Sequence, residues 1–217
     1  IKRILFVITQ SELGGAQRFL SNLLTRLDKT RFSPSVVVGK TTGTTLLHKQ
    51  LTAQAIPLLY LPALSRADSW VSDLTALWQL RRLLRREKPQ TLFLLSSKAG
   101  FLGSLATRLL PRSVRPLVIY RIGGWTFNDP WPDWKKAFYR CLEYVSARWK
   151  DDIIVNSQAD YDQAQRLSIR PRRALRLIPN GLDVYKMSLL PAPEARAQLL
   201  EEITKQIFEG GFAPPLS

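Results

Sequence analysis

Apolar and polar positions alternate along this chain in two rhythms. Ile4-Leu5-Phe6-Val7-Ile8 is a continuous apolar run, as expected of a strand buried on both faces. Past Gly14-Gly15 the rhythm changes, and Phe19, Leu20, Leu23, Leu24 and Leu27 recur at helical spacing over 16–27. The exchange then repeats. Further strands are expected at 36–38, 58–61, 91–95, 117–120, 153–155 and 175–178, and further helices at 46–54, 69–87, 99–110, 133–150 and 160–167. The 69–87 helix carries Leu74, Leu77, Leu80 and Leu84 on one side. The 133–150 helix carries a stripe of Trp134, Phe138, Cys141, Leu142, Val145 and Trp149, expected to face the core.

Strands alternating with helices make right-handed βαβ units, so the expected fold class is α/β, a Rossmann-like doubly wound parallel sheet. The end of the chain differs. Past Asp183 come Pro191 and Pro193, one helical stretch at 194–208 and the run Gly210-Gly211-Phe212-Ala213-Pro214-Pro215. The expectation is one domain over 1–183 and a linker or C-terminal extension over 184–217. The first residue is Ile rather than Met, as expected of a fragment.

Composition narrows the chemistry. A chain of 217 residues, 45% hydrophobic and 23% charged, is globular rather than disordered. One cysteine, Cys141, excludes a disulfide framework and is expected to be inert core. One histidine, His48, excludes multi-histidine metal sites and reads as surface or half-buried. No apolar run approaches the ~18–20 residues of a membrane-spanning helix. Against 17 acidic residues stand 32 Lys and Arg, a net charge of +15, which calls for an anionic partner.

In an open parallel sheet, ligands bind beyond the carboxyl ends of the strands, so the loops there carry the information. After the first strand, Gly14-Gly15 opens a helix, allows close backbone approach and leaves N-terminal N–H groups for an anion, with Arg18 one turn on. A plain tight turn is the alternative. The dinucleotide fingerprint is missing, and Gly39-Lys40 ends the second strand where a ribose-binding acid would stand. After the fourth strand, Ser96-Ser97-Lys98 can cap a helix or meet an anion. After the fifth, Gly123-Gly124-Trp125 suits a sugar-stacking loop or a turn whose Trp plugs the core.

Together these loops resemble the N-terminal half of family 4 glycosyltransferases, GT-B enzymes that move a sugar from a nucleotide-sugar donor. The resemblance rests on Gly14-Gly15-Ala16-Gln17-Arg18, Ser97-Lys98-Ala99-Gly100, Gly123-Gly124-Trp125, Ile153-Ile154-Val155-Asn156-Ser157 and Ile178-Pro179-Asn180-Gly181-Leu182-Asp183. It implies an acceptor-side lobe. Gly14, Gly15 and Arg18 would face the donor's distal phosphate, and Ser97, Lys98, Gly123, Gly124 and Trp125 the acceptor. No metal or other cofactor is expected. Three departures stand out. Gly123 occupies a place where the family often has histidine, Gln17 stands where it commonly has Glu, and the C-terminal donor domain with its paired glutamates is absent. The chain alone is therefore expected not to complete a transfer.

Charge placement adds a surface. Arg81, Arg82, Arg85 and Arg86 line one edge of the 69–87 helix, and Trp131, Trp134, Lys135, Lys136, Phe138, Tyr139 and Arg140 mix aromatics with cations. Both suit an anionic bilayer, so the expected setting is cytoplasmic, peripheral on the inner face of a membrane carrying a glycan or lipid-linked acceptor. A nucleic-acid-binding module is the competing reading of the charge. It lacks a recognised signature, and no nucleic acid is expected. A nucleotide-dependent oxidoreductase lacks its glycine motif, and a truncated, non-catalytic α/β domain is the remaining alternative.

Overall fold

The computed structural model describes residues 1–9, 14–39, 45–65, 69–181 and 190–209. They divide into two compact units, Ile1–Asn180 and Gly181–Ser217. The first contains β1 (Lys2–Ile8), α1 (Gly15–Arg26), β2 (Phe32–Val38), α2 (Leu46–Ala53), β3 (Leu58–Tyr60), α3 (Trp70–Glu87) and β4 (Thr91–Leu94). It continues with α4 (Ser97–Arg108), β5 (Leu117–Arg121), α5 (Asp133–Ala147), β6 (Asp152–Val155), α6 (Gln158–Arg166) and β7 (Ala174–Leu177). In the second unit the described residues include α7 (Ala192–Glu209), which exposes Leu199, Leu200 and Ile203.

The seven strands form one sheet in the order β3-β2-β1-β4-β5-β6-β7, and every neighbouring pair is parallel. The order turns between β1 and β4. Right-handed crossovers on the two arms therefore put their helices on opposite faces. Successive side chains of β1 record this: Leu5 and Val7 belong to one buried cluster with Leu80 of α3, Leu102 of α4 and Ala164 of α6. Phe6 and Ile8 pack instead with Leu20 and Leu24 of α1 and Leu47 and Leu51 of α2. A strand covered on both faces has no polar side, which is why it reads as an unbroken apolar run. Each such Leu or Phe contributes about 1.5–3 kcal/mol of burial.

Several boundaries and faces depart from the sequence expectation for identifiable reasons. Strand β2 starts at Phe32 despite Pro34. It is in register with β1 along its whole length but pairs with β3 only over Val36–Val38, so on the side that Pro34's missing N–H would face there is no strand to serve. His48 is buried rather than half-exposed, because its Nδ1 accepts from Thr45 N at 3.0 Å while the Thr45 hydroxyl accepts from His48 N, a capping box for α2. Leu77, Leu80 and Leu84 of α3 are buried together with Leu83, but Leu74 faces outward.

The largest departure is α5. Trp134, Phe138, Cys141 and Val145, expected in the core, all lie exposed, and the buried residues of the helix are Glu143, Ser146 and Ala147. A polar cluster occupies the inner side. Lys150 Nζ donates to Glu143 Oε2 at 2.9 Å and to Ser146 Oγ at 3.0 Å. The Tyr120 hydroxyl donates to Glu143 Oε1 at 2.9 Å. Burial pulls the Lys150 ammonium below its usual pKa, with the Glu143 carboxylate opposing that shift, and pushes the Tyr120 phenol well up.

Two predictions follow from this packing. Glu143→Leu strands a fully buried ammonium and should cost about 3–5 kcal/mol in urea unfolding. Adding Lys150→Met should recover part of that loss, whereas additive losses would contradict the paired-charge account. At Gly39, the end of β2, a Cβ would stand 1.6 Å from the Leu64 carbonyl oxygen and 2.3 Å from that of Thr9. Gly39→Ala must therefore displace backbone and should cost about 3 kcal/mol in the same assay.

Candidate functional site

Where the strand order turns, β1 and β4 exit side by side, and their loops diverge to helices on opposite faces of the sheet. The two exits are joined: the Thr9 hydroxyl donates to Ser96 Oγ at 3.2 Å, and Leu95 N donates to Val7 O at 3.0 Å. On the β1 side, Gly14 is the extended N-cap of α1, with no side-chain cap and no acidic residue in the first turn. Among the described residues no side chain neutralises the positive end of that helix, and Arg18 stands exposed one turn in.

The glycines sort into two kinds. Cβ atoms at Gly100 and Gly103 would strike Tyr120 and Leu94 at 2.5 Å, so packing explains these residues. Cβ atoms at Gly15, Gly123 and Gly124 would meet nothing within 4 Å. Gly124 also holds a positive φ of 153°. At Gly14 a Cβ would meet only the Gln17 side-chain amide, at 2.9 Å. The glycines singled out from the sequence therefore border open space at the strand-exit edge, and neighbouring side chains do not require them.

Behind this edge the loops are tied together. The Ser96 hydroxyl caps α4 by accepting from Ala99 N, and the Ser97 hydroxyl bonds that of Thr126. Tyr120, anchored on Glu143, reaches Ser97 Oγ at 3.5 Å. Trp125 takes the core-plug alternative: its ring is buried, stacks on Phe127 with centroids 5.4 Å apart and donates from Nε1 to Asp160 O at 3.0 Å. No face of it is left for a sugar. It anchors from below the loop whose upper side is Gly123-Gly124. Lys98 Nζ lies 3.0 Å from Asp73 Oδ1 of α3, so its charge is balanced by a carboxylate rather than held for an anion alone.

Arg121, the last residue of β5, was not singled out from the sequence. It is buried, its guanidinium lies 3.7 Å over the Phe19 ring, and it donates to Asn180 Oδ1. Among the described residues no carboxylate pairs with it, and burial lowers its pKa from the usual arginine value without removing its charge. One side chain thus links β5, α1 and the exit of β7. The available signal was a cation directly after the apolar run Leu117-Val118-Ile119-Tyr120, at a strand's carboxyl end. Positive character at this edge comes from Arg121, Arg18 and the amides of α1. Among the described residues no three His, Cys, Asp or Glu side chains converge as a metal site.

Comparison with known proteins places this geometry. The glycosyl transferase 4-like domain family matches residues 14–181. The UDP-Gal:α-D-GlcNAc-diphosphoundecaprenol α-1,3-galactosyltransferase of Escherichia coli is 29% identical over 135 residues, covering 62% of this chain and 34% of that enzyme. The chain thus spans about a third of the length of that relative. Among solved structures, Anabaena HepE in complex with UDP and glucose superposes with a TM-score of 0.65 at 15% identity, over 94% of this chain and 51% of HepE. Sucrose-phosphate synthase of Thermosynechococcus elongatus gives 0.68 at 14% identity, over 92% of this chain and 53% of that one. At such identities the likeness speaks for the fold, the Rossmann-like lobe of GT-B glycosyltransferases. With a family match across most of its length and that lobe's architecture, the chain belongs to the glycosyl transferase 4-like domain family.

Proposed function

We propose that this chain is the acceptor-side half of a glycosyltransferase that moves a sugar from a nucleotide-sugar donor to a glycan or lipid-linked acceptor. The setting is cytoplasmic, peripheral on the inner face of an anionic membrane. The observation that carries the reading is the open space over Gly15, Gly123 and Gly124, at the edge where β1 and β4 exit. Breaking the bond from the sugar to a diphosphate leaves negative charge on the distal phosphate, and stabilisation there lowers the barrier. The amides of Gly14 and Gly15 and the Arg18 guanidinium meet that charge, without a resident metal or other cofactor.

The acceptor enters over Gly123-Gly124, where backbone rather than side chain limits the approach. Ser97, Lys98 and Trp125 shape that side as supports: Ser97 through Thr126, Lys98 through Asp73, Trp125 from beneath. The donor's nucleotide is assigned to a second lobe outside residues 1–217. In support, the chain covers only about half of HepE and a third of the galactosyltransferase. That relative's name, with UDP-Gal and a diphosphoundecaprenol-linked sugar, supports a nucleotide-sugar donor and a lipid-linked acceptor here.

The test is a titration of the isotope-labelled chain with inorganic pyrophosphate and with uridine diphosphate, followed by amide NMR. Shifts should concentrate at Gly14, Gly15 and Arg18. Gly15→Val, pointing into open space, should change stability by no more than about 0.5 kcal/mol. It should weaken binding tenfold or more, since a hydrogen bond to a charged group contributes about 1.5–3 kcal/mol. Undiminished binding by the variant, or shifts confined to other elements, would overturn the reading.

A further inference from the structure

Two helices in one layer turn apolar faces away from the core. On α3, Trp70 is 86% exposed, Val71 78%, Leu74 57% and Trp78 54%. On α5, Trp134 is 73% exposed, and Phe138, Cys141 and Val145 continue the stripe at helical spacing. Exposed Trp is costly to keep in water, and single exposed residues are ordinary while aligned ones on two helices are not. Helix α3 packs on α4, and α4 on α5, so both stripes belong to the helical layer on one face of the sheet.

The charges on α3 are as segregated as its apolar groups. Its first half presents the aromatics, and its second half presents Arg81, Arg82, Arg85 and Arg86. Arg81 stacks 5.1 Å over the Trp78 ring, and Arg86 pairs with Glu87 at 2.8 Å. Arg82 and Arg85 are exposed and have no acidic partner among the described residues. Beside Arg82 and Arg86 a cleft of about 230 Å³ opens against Leu61 and Pro62, room enough for a phosphate headgroup. On α5, Lys136 and Arg140 lie on the side away from the stripe, with Arg140 5.7 Å over the ring of the buried Phe127.

We propose that the outer surface of α3 and α5 is a docking face for an anionic phospholipid bilayer. The aromatics enter the headgroup layer and the α3 arginines engage lipid phosphates. Topology adds an orientation. Each helix leads from one parallel strand back to the start of the next, so the first turns of α3 and α5 lie toward the strand-exit edge. The most exposed apolar residues of the two helices, Trp70, Val71 and Trp134, therefore sit at the end of the domain that carries Gly15, Gly123 and Gly124. A lipid-linked acceptor would then enter the site from the membrane side. That last step rests on the proposed transferase reading, whereas the docking face is carried by side chains outside the site.

The 217-residue chain is tested by flotation with phosphatidylcholine vesicles, with and without phosphatidylglycerol. Three exposed-surface variants accompany it: Trp70→Ser with Trp78→Ser, Trp134→Ser with Phe138→Ser, and Arg82→Gln with Arg85→Gln. Unchanged thermal melts establish that each is folded. Wild type should float with anionic vesicles and little with neutral ones. The arginine variant should partition about 25-fold more weakly, from about fivefold for each basic residue at an anionic surface. Each aromatic pair should lose binding to both vesicle types. No flotation of wild type, equal flotation on both lipids, or variants that float like wild type would overturn the docking face. So would a dimer in light scattering that the Trp70/Trp78 variant dissociates, which would make a second copy the occupant. The pyrophosphate titration of the same variants separates the two proposals, because it should be unchanged whether or not the membrane face holds.

Discussion

A strand covered by helices on both faces can be followed by another parallel strand only if the chain crosses back over the sheet. That requirement organises this protein. It makes β1 an unbroken apolar run, forces a helix between successive strands and brings every strand exit to one edge. At the turn between β1 and β4 the two neighbouring exits separate to opposite faces, and a gap between such diverging loops is where a ligand can approach backbone. The position of the site is therefore a consequence of topology before any residue in it is considered.

What the residues add is a division of labour. Above the edge stand residues without side chains, Gly15, Gly123 and Gly124, which leave space. Below it stand large anchored groups: Trp125 on Phe127 and Asp160, Tyr120 on Glu143, and Arg121 between Phe19 and Asn180. Rigid support under an open backbone surface is what preorganised contact with a charged leaving group requires. The support also explains α5. Its inner side is occupied by Glu143 and Ser146 bonded to Lys150, so Trp134 and Phe138 turn outward. The same polar cluster that braces Tyr120 beneath the site thus leaves an apolar stripe on the surface.

The fold class was legible because period and punctuation agreed: apolar runs of strand length, helical repeats between them, and glycine or serine at the junctions. The strand-exit glycines were legible because topology tells where ligands approach such a sheet. Periodicity failed where burial was decided by partners rather than by hydropathy. The stripe of Trp134, Phe138 and Val145 has the spacing of a core face, but spacing cannot tell which side of a helix meets the sheet when a buried ion pair claims the other. Trp125 and Lys98 were visible as residue types, yet their commitments to Asp160 and Asp73 span 35 and 25 residues and leave no local mark. Arg121 was hidden in the same way, since its partners Phe19 and Asn180 lie far away in sequence.

The account turns on whether the open space over the strand-exit glycines is a binding crevice. The most direct measurement is a crystal structure of the chain soaked with uridine diphosphate. The account predicts diphosphate density against the amides of Gly14 and Gly15 and within reach of Arg18, with the Arg121–Asn180 bond intact beneath it. Diphosphate seated instead on another part of the surface, with that crevice closed by the protein's own side chains, would contradict it.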